Sequence, residues 1–509
     1  MDLRNRVIAA GAIVLALALL PVLFAPHLLL LDAPAHEARI AILRDLLLHE
    51  RASPFYYLES FFLPNIAFDI IGFLLGFFAA PEEVGRLFFG LTLILTVSGI
   101  ASLNRLVTGR WGLVPLASGL FLYNLIAILG FFSYALGLAL VPWAMAVRIS
   151  FKQASLPLRF LAGAASAVLL LFCHVFALGI YAIMSAGFTF HGLREKQIGW
   201  RLALAQLLEL VPAALLLLSM PTGRDSRLRY EADYLLTKAL EVAKSLSSGS
   251  LAGDIALLAG TGLLVLLVMR SSRRRIVPSF VPGLVGLAAL FLILPQHFAT
   301  GSYVDLRIPI AIIFMLLSGL DVQVSERKEA TVLTALIGAA LAVKQIAIAV
   351  LWRSLSFGTE DFIREMSSLP EPAIILQSEC QPQSGLLSTY RQHQPSLQNI
   401  SAMAAFGDSR FVAKVYAIRG QQPIRALAPY LDFYRLQLGF ELTCGRNEYL
   451  EQFNQLNELV AYEISARHSI PPVYFLMIRP PSPDPLGQES ALIRSGANYA
   501  LYKVDTGSR

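Results

Sequence analysis

The segment "LDAPAHEARI" (residues 31–40) places four chemically active side chains within eight positions: Asp32, His36, Glu37 and Arg39. A carboxylate can take a proton from a hydroxyl group, and a guanidinium can hold a phosphate through paired hydrogen bonds. The segment directly follows an apolar run of about twenty-five residues, which is long enough to cross a bilayer. These residues are therefore candidates for chemistry at a membrane surface.

The same segment predicts a helix over residues 33–50. Pro34 suits a first helical turn, with Asp32 close to the N-cap, and His36 and Arg39 share one face of the helix. Apolar residues on another side favour a helix lying on the outer membrane surface: Ile40, Leu43, Leu46 and Leu47. An alternative without chemistry remains open, in which Asp32 only caps the helix and the two basic groups bind lipid headgroups.

Polar side chains inside apolar runs form a second set of candidates, because a charge at the centre of a membrane helix costs about 2.5–3.5 kcal/mol. Asn65 and Asp69 lie four residues apart and face the same way on a helix. His174 lies within a long apolar run. At the start of another run, Asp305 can orient Arg307 for phosphate binding.

Most of these positions also have a purely structural interpretation, although Asp69 is harder to explain as packing of an ionised group. Asn65 and His174 can form hydrogen bonds between helices, and Asp305 and Arg307 can form a simple interfacial ion pair. Glu209 and Lys344 are predicted to be buried partners of other helices rather than catalytic groups.

Composition places all these residues in a polytopic membrane protein. Of 509 residues, 56% are hydrophobic and 15% charged, and the mean hydropathy is +0.61. No soluble domain could bury so much apolar surface. A membrane-spanning helix needs about 20 apolar residues, and about eleven runs qualify: those near 7–31, 60–80, 86–104, 112–129, 131–148, 159–190, 202–220, 251–269, 276–295, 307–321 and 330–352.

The composition changes near Arg353, after which proline, glutamine, serine and charged residues become frequent. We therefore predict a transmembrane domain over residues 1–353 and a soluble domain over 354–509. Three short strands and one amphipathic helix predict a small α/β fold for the second domain: strands at 372–377, 410–417 and 473–479, and the helix at 448–468.

Two cysteines of this second domain, Cys380 and Cys444, can form a disulfide if the domain lies outside the cytoplasm. Two unpaired thiols are equally compatible with the sequence. The third cysteine, Cys173, lies inside an apolar run.

Basic clusters between the apolar runs indicate cytoplasmic loops rather than nucleic-acid sites. They place the N-terminus inside, and they place residues 32–58, 221–250, 297–306 and the tail outside. Between residues 60 and 190 two topologies remain open. Either 60–80 spans and 159–190 is one helix, or 60–80 dips in and returns and 159–190 turns near His174.

Soluble enzyme classes leave no signature in this sequence. It contains no P-loop, no GxGxxG after a strand, no HExxH, no G-x-S-x-G and no CxxC. The residues in and beside the membrane remain the candidates for function.

Several short segments together resemble a known superfamily: "DAPAHEAR", "PNIAFD", "FFSYALGLAL", "HVFALGIY", "DLRIPIA" and "RGQQPIR". They are similar to motifs of an uncharacterised bacterial family of polytopic membrane proteins that is grouped with the GT-C superfamily of integral membrane glycosyltransferases. The similarity runs in order over most of the chain. It implies a GT-C-like helical membrane fold and an active site that opens to the extracytoplasmic side of the bacterial inner membrane.

The resemblance also implies roles for individual residues. Asp32 would be the general base that takes a proton from the acceptor as a sugar leaves a polyprenyl phosphate. His36, Arg39 and Arg307 would hold the lipid-linked phosphate. The other predicted substrate-binding residues are Asn65, Asp69, His174 and Asp305.

One departure from the superfamily concerns metal binding. Many GT-C enzymes carry a paired acidic motif in the first external loop, whereas here Glu37 is the nearest second acid to Asp32. Five residues away, it would point elsewhere on the helix, so no metal site is predicted. The expected partners are membrane lipid, a lipid-linked sugar as donor, and a glycan, lipid or protein as acceptor.

Two other functions fit the same residues. A transporter or flippase for lipid-linked glycans would use the basic groups without making a bond. An internal inverted repeat would favour transport, and the sequence shows none. A non-catalytic assembly partner in envelope polysaccharide synthesis would require no activity from Asp32.

Overall fold

The computed structural model describes most of the chain: residues 3–28, 30–48, 53–221, 228–230, 234–298, 303–323, 327–356, 358–379, 397–406, 409–417, 419–440, 446–467, 469–478, 480, 486, 491–496 and 499–504. Cys380 and Cys444, the predicted disulfide pair, lie outside the described residues. Their pairing stays a prediction.

A polytopic helical membrane fold is confirmed. Within the described ranges, eight helical segments are long and apolar enough to cross a bilayer: Arg4–Phe24, Pro81–Thr108, Phe132–Gln153, Leu156–Cys173, Val175–Arg194, Trp200–Ser219, Leu251–Met269 and Thr331–Ser367. The sixth segment consists of two helices, Trp200–Leu208 and Val211–Ser219. The last contains most of the helix Arg327–Leu355 and all of Thr359–Ser367.

The remaining α-helices of the described ranges are shorter or less apolar. They are Ala33–Leu48, Ala67–Leu75, Leu125–Ile128, Tyr234–Leu246, Val281–Ile293, Arg307–Gly319, Leu431–Gly439 and Arg446–Arg467. The apolar run at 112–129 forms a 3-10 helix, Val114–Phe121, before the single turn that begins at Leu125.

Two further apolar runs also do not form single long helices. The run at 60–80 contains only the helix Ala67–Leu75, and the run at 159–190 breaks at His174, whose backbone is extended (φ −170°, ψ 136°). These elements match the alternative in which the chain turns near His174. The orientation of the termini stays a prediction.

The chain divides into two compact units. The first, here called the bundle unit, comprises Met1–Phe24, Phe62–Phe68 and Phe88–Leu351. The second, the loop–tail unit, comprises Ala25–Phe61, Asp69–Leu87 and Trp352–Arg509. The predicted domain division at residues 353/354 remains a prediction.

Close helix packing stabilises the bundle unit where two glycines meet. A Cβ atom added to Gly187, in the helix Val175–Arg194, would lie 2.6 Å from the Cα atom of Gly283, in the helix Val281–Ile293. The absence of side chains at both positions therefore allows the two backbones to touch, as at other membrane helix crossings.

Two buried charged groups in the bundle unit are paired. The ammonium group of Lys344 donates to the backbone oxygens of Leu120 (2.6 Å) and Tyr123 (3.0 Å). Glu209 forms an ion pair with Arg148. Both Lys344 and Glu209 are thus partners of other segments within the bundle.

The loop–tail unit contains a five-stranded mixed sheet. In spatial order its strands are Ala491–Ser495, Tyr499–Lys503, Val473–Ile478, Ala373–Glu379 and Arg410–Val412. The last three are parallel to one another, and the first two are joined antiparallel. The small α/β region that the sequence predicts is therefore present. The strand that we predicted over 410–417 ends at Val412, because residues Ala413–Val415 form a 3-10 turn.

The segment Ala25–Phe61, which was predicted to contain the first external loop, belongs to the same unit as this sheet. Its strand Tyr56–Leu58 pairs antiparallel with Ile424–Ala426. The hydroxyl of Tyr56 donates to the backbone oxygen of Val412 and accepts from its nitrogen, both at 3.0 Å. Residues more than 350 positions apart in sequence thus form one packed region.

Three two-stranded pairings complete the strands of the described chain: Tyr56–Leu58 with Ile424–Ala426, Leu228–Arg229 with His297–Phe298, and Arg273–Ile276 with Leu320–Gln323.

The helix Ala33–Leu48 follows the prediction closely in its bounds, and most of its first three turns is buried. Glu37 on this helix is fully buried beside Gly85. Within the described residues, neither of its carboxylate oxygens has a hydrogen-bond partner. Burial and the nearby Glu82 raise the pKa of Glu37 well above its usual value, and Arg86 offsets this only in part.

Replacing Gly187 with alanine should destabilise the protein by about 1–3 kcal/mol, because the new methyl group would press against the backbone of the neighbouring helix. Gly179 on the same helix has no neighbouring atom within 4 Å of its Cβ position. Gly179→Ala should therefore be neutral or slightly stabilising. Thermal unfolding in detergent compares the two variants, and equal unfolding temperatures would contradict the close packing.

Glu37→Gln should flatten the dependence of stability on pH. A carboxyl group with a raised pKa binds a proton in the folded state that it releases in the unfolded state, so wild-type stability should fall as the pH rises above 4.5. The amide needs no proton. Unfolding temperatures between pH 5 and 8 measure the effect, with the exposed Glu83→Gln as control; identical pH slopes for both variants would argue against a protonated Glu37.

Candidate functional site

Asp32 lies directly before the helix Ala33–Leu48, at its N-cap position. Its backbone oxygen accepts a hydrogen bond from the nitrogen of His36 at 3.0 Å. Its carboxylate oxygen Oδ1 accepts a hydrogen bond from the side-chain amide of Asn399 at 3.1 Å. The predicted general base is thus held both by its own helix and by the C-terminal part of the chain.

Two further polar side chains lie near Asp32 in the loop–tail unit. The hydroxyl of Tyr416 donates to Asn399 Oδ1 at 3.2 Å. Burial and the charge of Asp32 raise the pKa of Tyr416. Burial lowers the pKa of Lys414, although the carboxylates of Glu379 and Asp32 partly offset this. Asp32 is itself half-buried, and its surroundings contain hydrogen-bond donors and an amine.

His36, Arg39 and Asp69 form a second group in this unit. The guanidinium of Arg39 forms an ion pair with Asp69, and both side chains are 2% exposed. A further nitrogen of the guanidinium, Nη2, donates to His36 Nδ1 at 2.6 Å. The charge of Arg39 is therefore balanced by Asp69, and Arg39 holds the imidazole in one orientation.

This contact determines the protonation state of His36. Burial and the adjacent Arg39 hold the pKa of His36 well below its usual value. Because Nδ1 accepts a hydrogen bond from Arg39, the neutral ring carries its proton on Nε2. His36 can therefore act as a neutral hydrogen-bond donor at pH 7.

Arg307 is the centre of the corresponding group in the bundle unit. It is the first residue of the helix Arg307–Gly319, and its backbone oxygen accepts a hydrogen bond from the hydroxyl of Tyr134 at 2.6 Å. Its guanidinium nitrogen Nη1 lies 3.1 Å from His174 Nε2. The guanidinium also lies over three aromatic rings, with its carbon 4.7 Å from the centroid of Phe131, 5.5 Å from Tyr134 and 5.1 Å from Phe176.

Asn65 and His174 support the helix break beside Arg307. The backbone nitrogens that open the helix Val175–Arg194 donate to these two side chains: Val175 to Asn65 Oδ1 and Phe176 to His174 Nδ1, each at 3.1 Å. In a bilayer an unsatisfied N–H group costs several kcal/mol, so these caps allow the chain to turn there. They also leave His174 Nε2 directed at Arg307.

Asp305 pairs with a residue that the sequence analysis did not single out. It forms an ion pair with Lys238 of the helix Tyr234–Leu246. Lys238 also lies 3.4 Å from Glu241, a second buried acid. The only sequence signal for these two residues is their spacing of three positions in a predicted external loop.

The predicted site residues thus occur in two groups, each within one unit. Asp32, His36, Arg39 and Asp69 belong to the loop–tail unit, and Asn65, His174, Asp305 and Arg307 belong to the bundle unit. Their roles in substrate binding remain predictions. No cluster of three or more histidine, cysteine or acidic residues that could hold a metal ion occurs in the part of the chain that the structure describes.

Three residues near Asp32 were not predicted from the sequence: Asn399, Lys414 and Tyr416. All three come from the C-terminal part of the chain, far from Asp32 in sequence. Asn399 lies in a segment with no recognisable motif, and the two others follow a short strand. Only the packing of the tail against the segment around Asp32 reveals them.

Comparisons with known proteins give a match at the level of structure. No protein-family model matches the sequence, and no curated protein matches it either. The fold is similar to two crystal structures of ArnT from Cupriavidus metallidurans. One has undecaprenyl phosphate bound (TM-score 0.51, 12% identity) and the other is in the apo state (TM-score 0.51, 11% identity), and in both cases the match covers 99% of each chain.

The helical membrane fold that the resemblance of the sequence motifs implies is therefore confirmed as an ArnT-like fold. The similarity extends over nearly the whole length of both proteins, which includes the C-terminal part as well as the membrane helices. The chain is thus a polytopic membrane protein with an ArnT-like fold.

Proposed function

We propose that this protein is a membrane glycosyltransferase that transfers a sugar from a polyprenyl phosphate to an extracytoplasmic acceptor. The observation that carries this proposal is the fold, which matches over its full length a protein crystallised with undecaprenyl phosphate. The donor would be a lipid-linked sugar in the bacterial inner membrane. The N-terminus would lie in the cytoplasm and the C-terminal part outside it.

Asp32 is the proposed general base. In the reaction, the oxygen of an acceptor hydroxyl attacks the anomeric carbon of the sugar, and the bond from that carbon to the phosphate oxygen breaks. The electron pair of that bond leaves with the polyprenyl phosphate, and the hydroxyl proton passes to Asp32. A carboxylate performs this step at neutral pH when it is held within hydrogen-bond reach of the hydroxyl.

Arg307 is the proposed phosphate-binding residue of the bundle unit. A guanidinium has five N–H donors in a planar fork, so its contact with His174 is compatible with bidentate binding of a phosphate. Three aromatic rings and a buried helix start restrict its movement. A preorganised cation of this kind stabilises the negative charge that develops on the leaving phosphate.

His36 and Arg39 are proposed to act together in substrate binding. Arg39 fixes the neutral ring of His36, whose Nε2–H group can then donate to an oxygen of the sugar or phosphate. Asp69 balances the charge of Arg39. Asn65 contributes through the helix cap that keeps His174 in place.

Asp32→Asn should abolish sugar transfer, because the amide cannot accept the proton of the acceptor. Purified protein is supplied with a panel of undecaprenyl-phosphate sugars, and sugar release or transfer is followed. A loss of at least about a hundredfold in turnover is expected, which is typical of removing a general base. Asp45→Asn makes the same chemical change within the helix that follows Asp32, and it should retain activity.

Other outcomes of this experiment have definite meanings. Turnover that survives Asp32→Asn would contradict its role as base and would favour an assembly partner. Movement of a lipid-linked sugar across the bilayer without bond cleavage would identify a flippase. No turnover with any donor would contradict the proposed reaction.

Arg307→Gln should weaken binding of the lipid-linked donor. Loss of a hydrogen-bonded charge typically costs about 1.5–3 kcal/mol, so KM for the donor should rise about tenfold or more. Arg307→Lys keeps the charge but loses the planar fork, and we expect an intermediate KM.

The matched control is Arg201→Gln, which removes an exposed guanidinium stacked on Trp200. Its KM should equal that of wild type. Thermal unfolding of each variant separates binding defects from loss of fold. An unchanged donor KM in a folded Arg307→Gln protein would exclude the phosphate-binding role.

A further inference from the structure

We propose that Asn399 is a positioning residue that holds the carboxylate of Asp32 in its reactive orientation. This inference rests on the proposed function of Asp32 as general base. It assigns to the C-terminal part of the chain a direct part in organising the first external loop. Both residues belong to the loop–tail unit.

The hydrogen bonds of Asn399 determine the orientation of its amide. Its Nδ2 atom donates to the backbone oxygen of Leu31 at 2.8 Å and to Asp32 Oδ1 at 3.1 Å. Because a backbone oxygen can only accept, the nitrogen must face Leu31. The other end of the amide, Oδ1, then accepts from the hydroxyl of Tyr416.

Asn399 is itself rigidly held. Its side chain is fully buried, and both amide hydrogens and the amide oxygen are used. It lies in the 3-10 segment Leu397–Phe406, which its own backbone angles (φ −114°, ψ 18°) interrupt. Two residues later, the nitrogen of Ser401 donates to the side chain of Gln377 in the central sheet at 3.1 Å.

Tyr416 supports the same arrangement from another direction. Its backbone is left-handed (φ +55°), a conformation that is uncommon for an aromatic residue. Such positions occur where the surrounding structure requires them and cluster at functional sites. Here the turn brings the hydroxyl of Tyr416 to the oxygen of Asn399.

An amide suits this positioning role better than a charged group would. It donates to the carboxylate and so favours the ionised form that a base requires, without neutralising its charge as an ion pair would. It also restricts the rotation of Asp32 about its side-chain bonds. A displacement of about 1 Å in a reacting group can reduce the rate by about a hundredfold, so this restriction affects turnover.

Asn399→Leu, a replacement of similar size, tests the proposal through the kinetics. We expect kcat to fall about tenfold to a hundredfold, with the acceptor KM within about threefold of wild type. The acid limb of the pH profile of kcat should move up by about one pH unit, because the ionised base loses a donor. The titratable groups that interact with Asp32 and remain in place are Lys414 and Tyr416, and Glu379 lies near both of them.

Ser401→Ala is the matched control, because it alters a buried side chain of the same segment at a distance of two residues. Its kcat and pH profile should match those of wild type. Tyr416→Phe should give a smaller decrease in kcat than Asn399→Leu, since it removes only the support of the amide. A folded Asn399→Leu protein with unchanged kcat and acid limb would overturn the proposal.

A second measurement does not depend on turnover. Unfolding temperatures of Asp32→Ala, Asn399→Ala and the double variant form a thermodynamic cycle. We expect the decrease in the double variant to be smaller than the sum of the single decreases, because either change alone removes the bond.

The two measurements separate failure of this inference from failure of the proposed function. Additive decreases in a protein that turns over its donor would overturn the positioning role and leave the general base intact. If the decreases in unfolding temperature are coupled but the protein turns over no donor, the proposed reaction is overturned. The bond between Asn399 and Asp32 would then have no role in catalysis.

Discussion

The structure depends on one constraint, which is that an ionic group removed from water must have a partner. An unpaired charge in a low-dielectric interior is far more costly than a paired one. Three ion pairs satisfy this constraint: Arg39 with Asp69, Lys238 with Asp305, and Arg148 with Glu209. Each pair joins segments that are distant in sequence. The pairs therefore determine which segments lie together and which charged groups face a substrate.

The same constraint applies to the backbone. A helix that ends inside a membrane protein leaves N–H groups without partners, and side chains must replace them. Asn65 and His174 do so at the start of Val175–Arg194. Because His174 caps the helix with one ring nitrogen, its other nitrogen is directed at Arg307. One side chain thus caps the helix and also contacts the proposed phosphate-binding residue. The structural and functional interpretations of His174 are therefore compatible.

The loop–tail unit shows how the C-terminal part of the chain can organise a segment between membrane helices. The strand Tyr56–Leu58 is anchored to Ile424–Ala426, and Asn399 reaches the residue that precedes the helix Ala33–Leu48. The segment Ala25–Phe61 is short, so by itself it has too few apolar residues for a core. Packing with the C-terminal residues supplies that core and keeps Asp32 in a defined environment. The tail is thereby part of the same structural unit as the proposed base.

The sequence by itself determined the membrane class, the helix that begins after Asp32 and the α/β character of the tail, because these follow from local composition and periodicity. It also identified the polar residues that the bilayer makes costly, Asp69, His174 and Arg307 among them. Only the tertiary structure decided their partners. Local pattern contains no information on which distant residue neutralises a charge, so Lys238 and Asn399 could not be found. The break at His174 was left open for the same reason: its stability depends on Asn65, more than a hundred residues earlier in the chain.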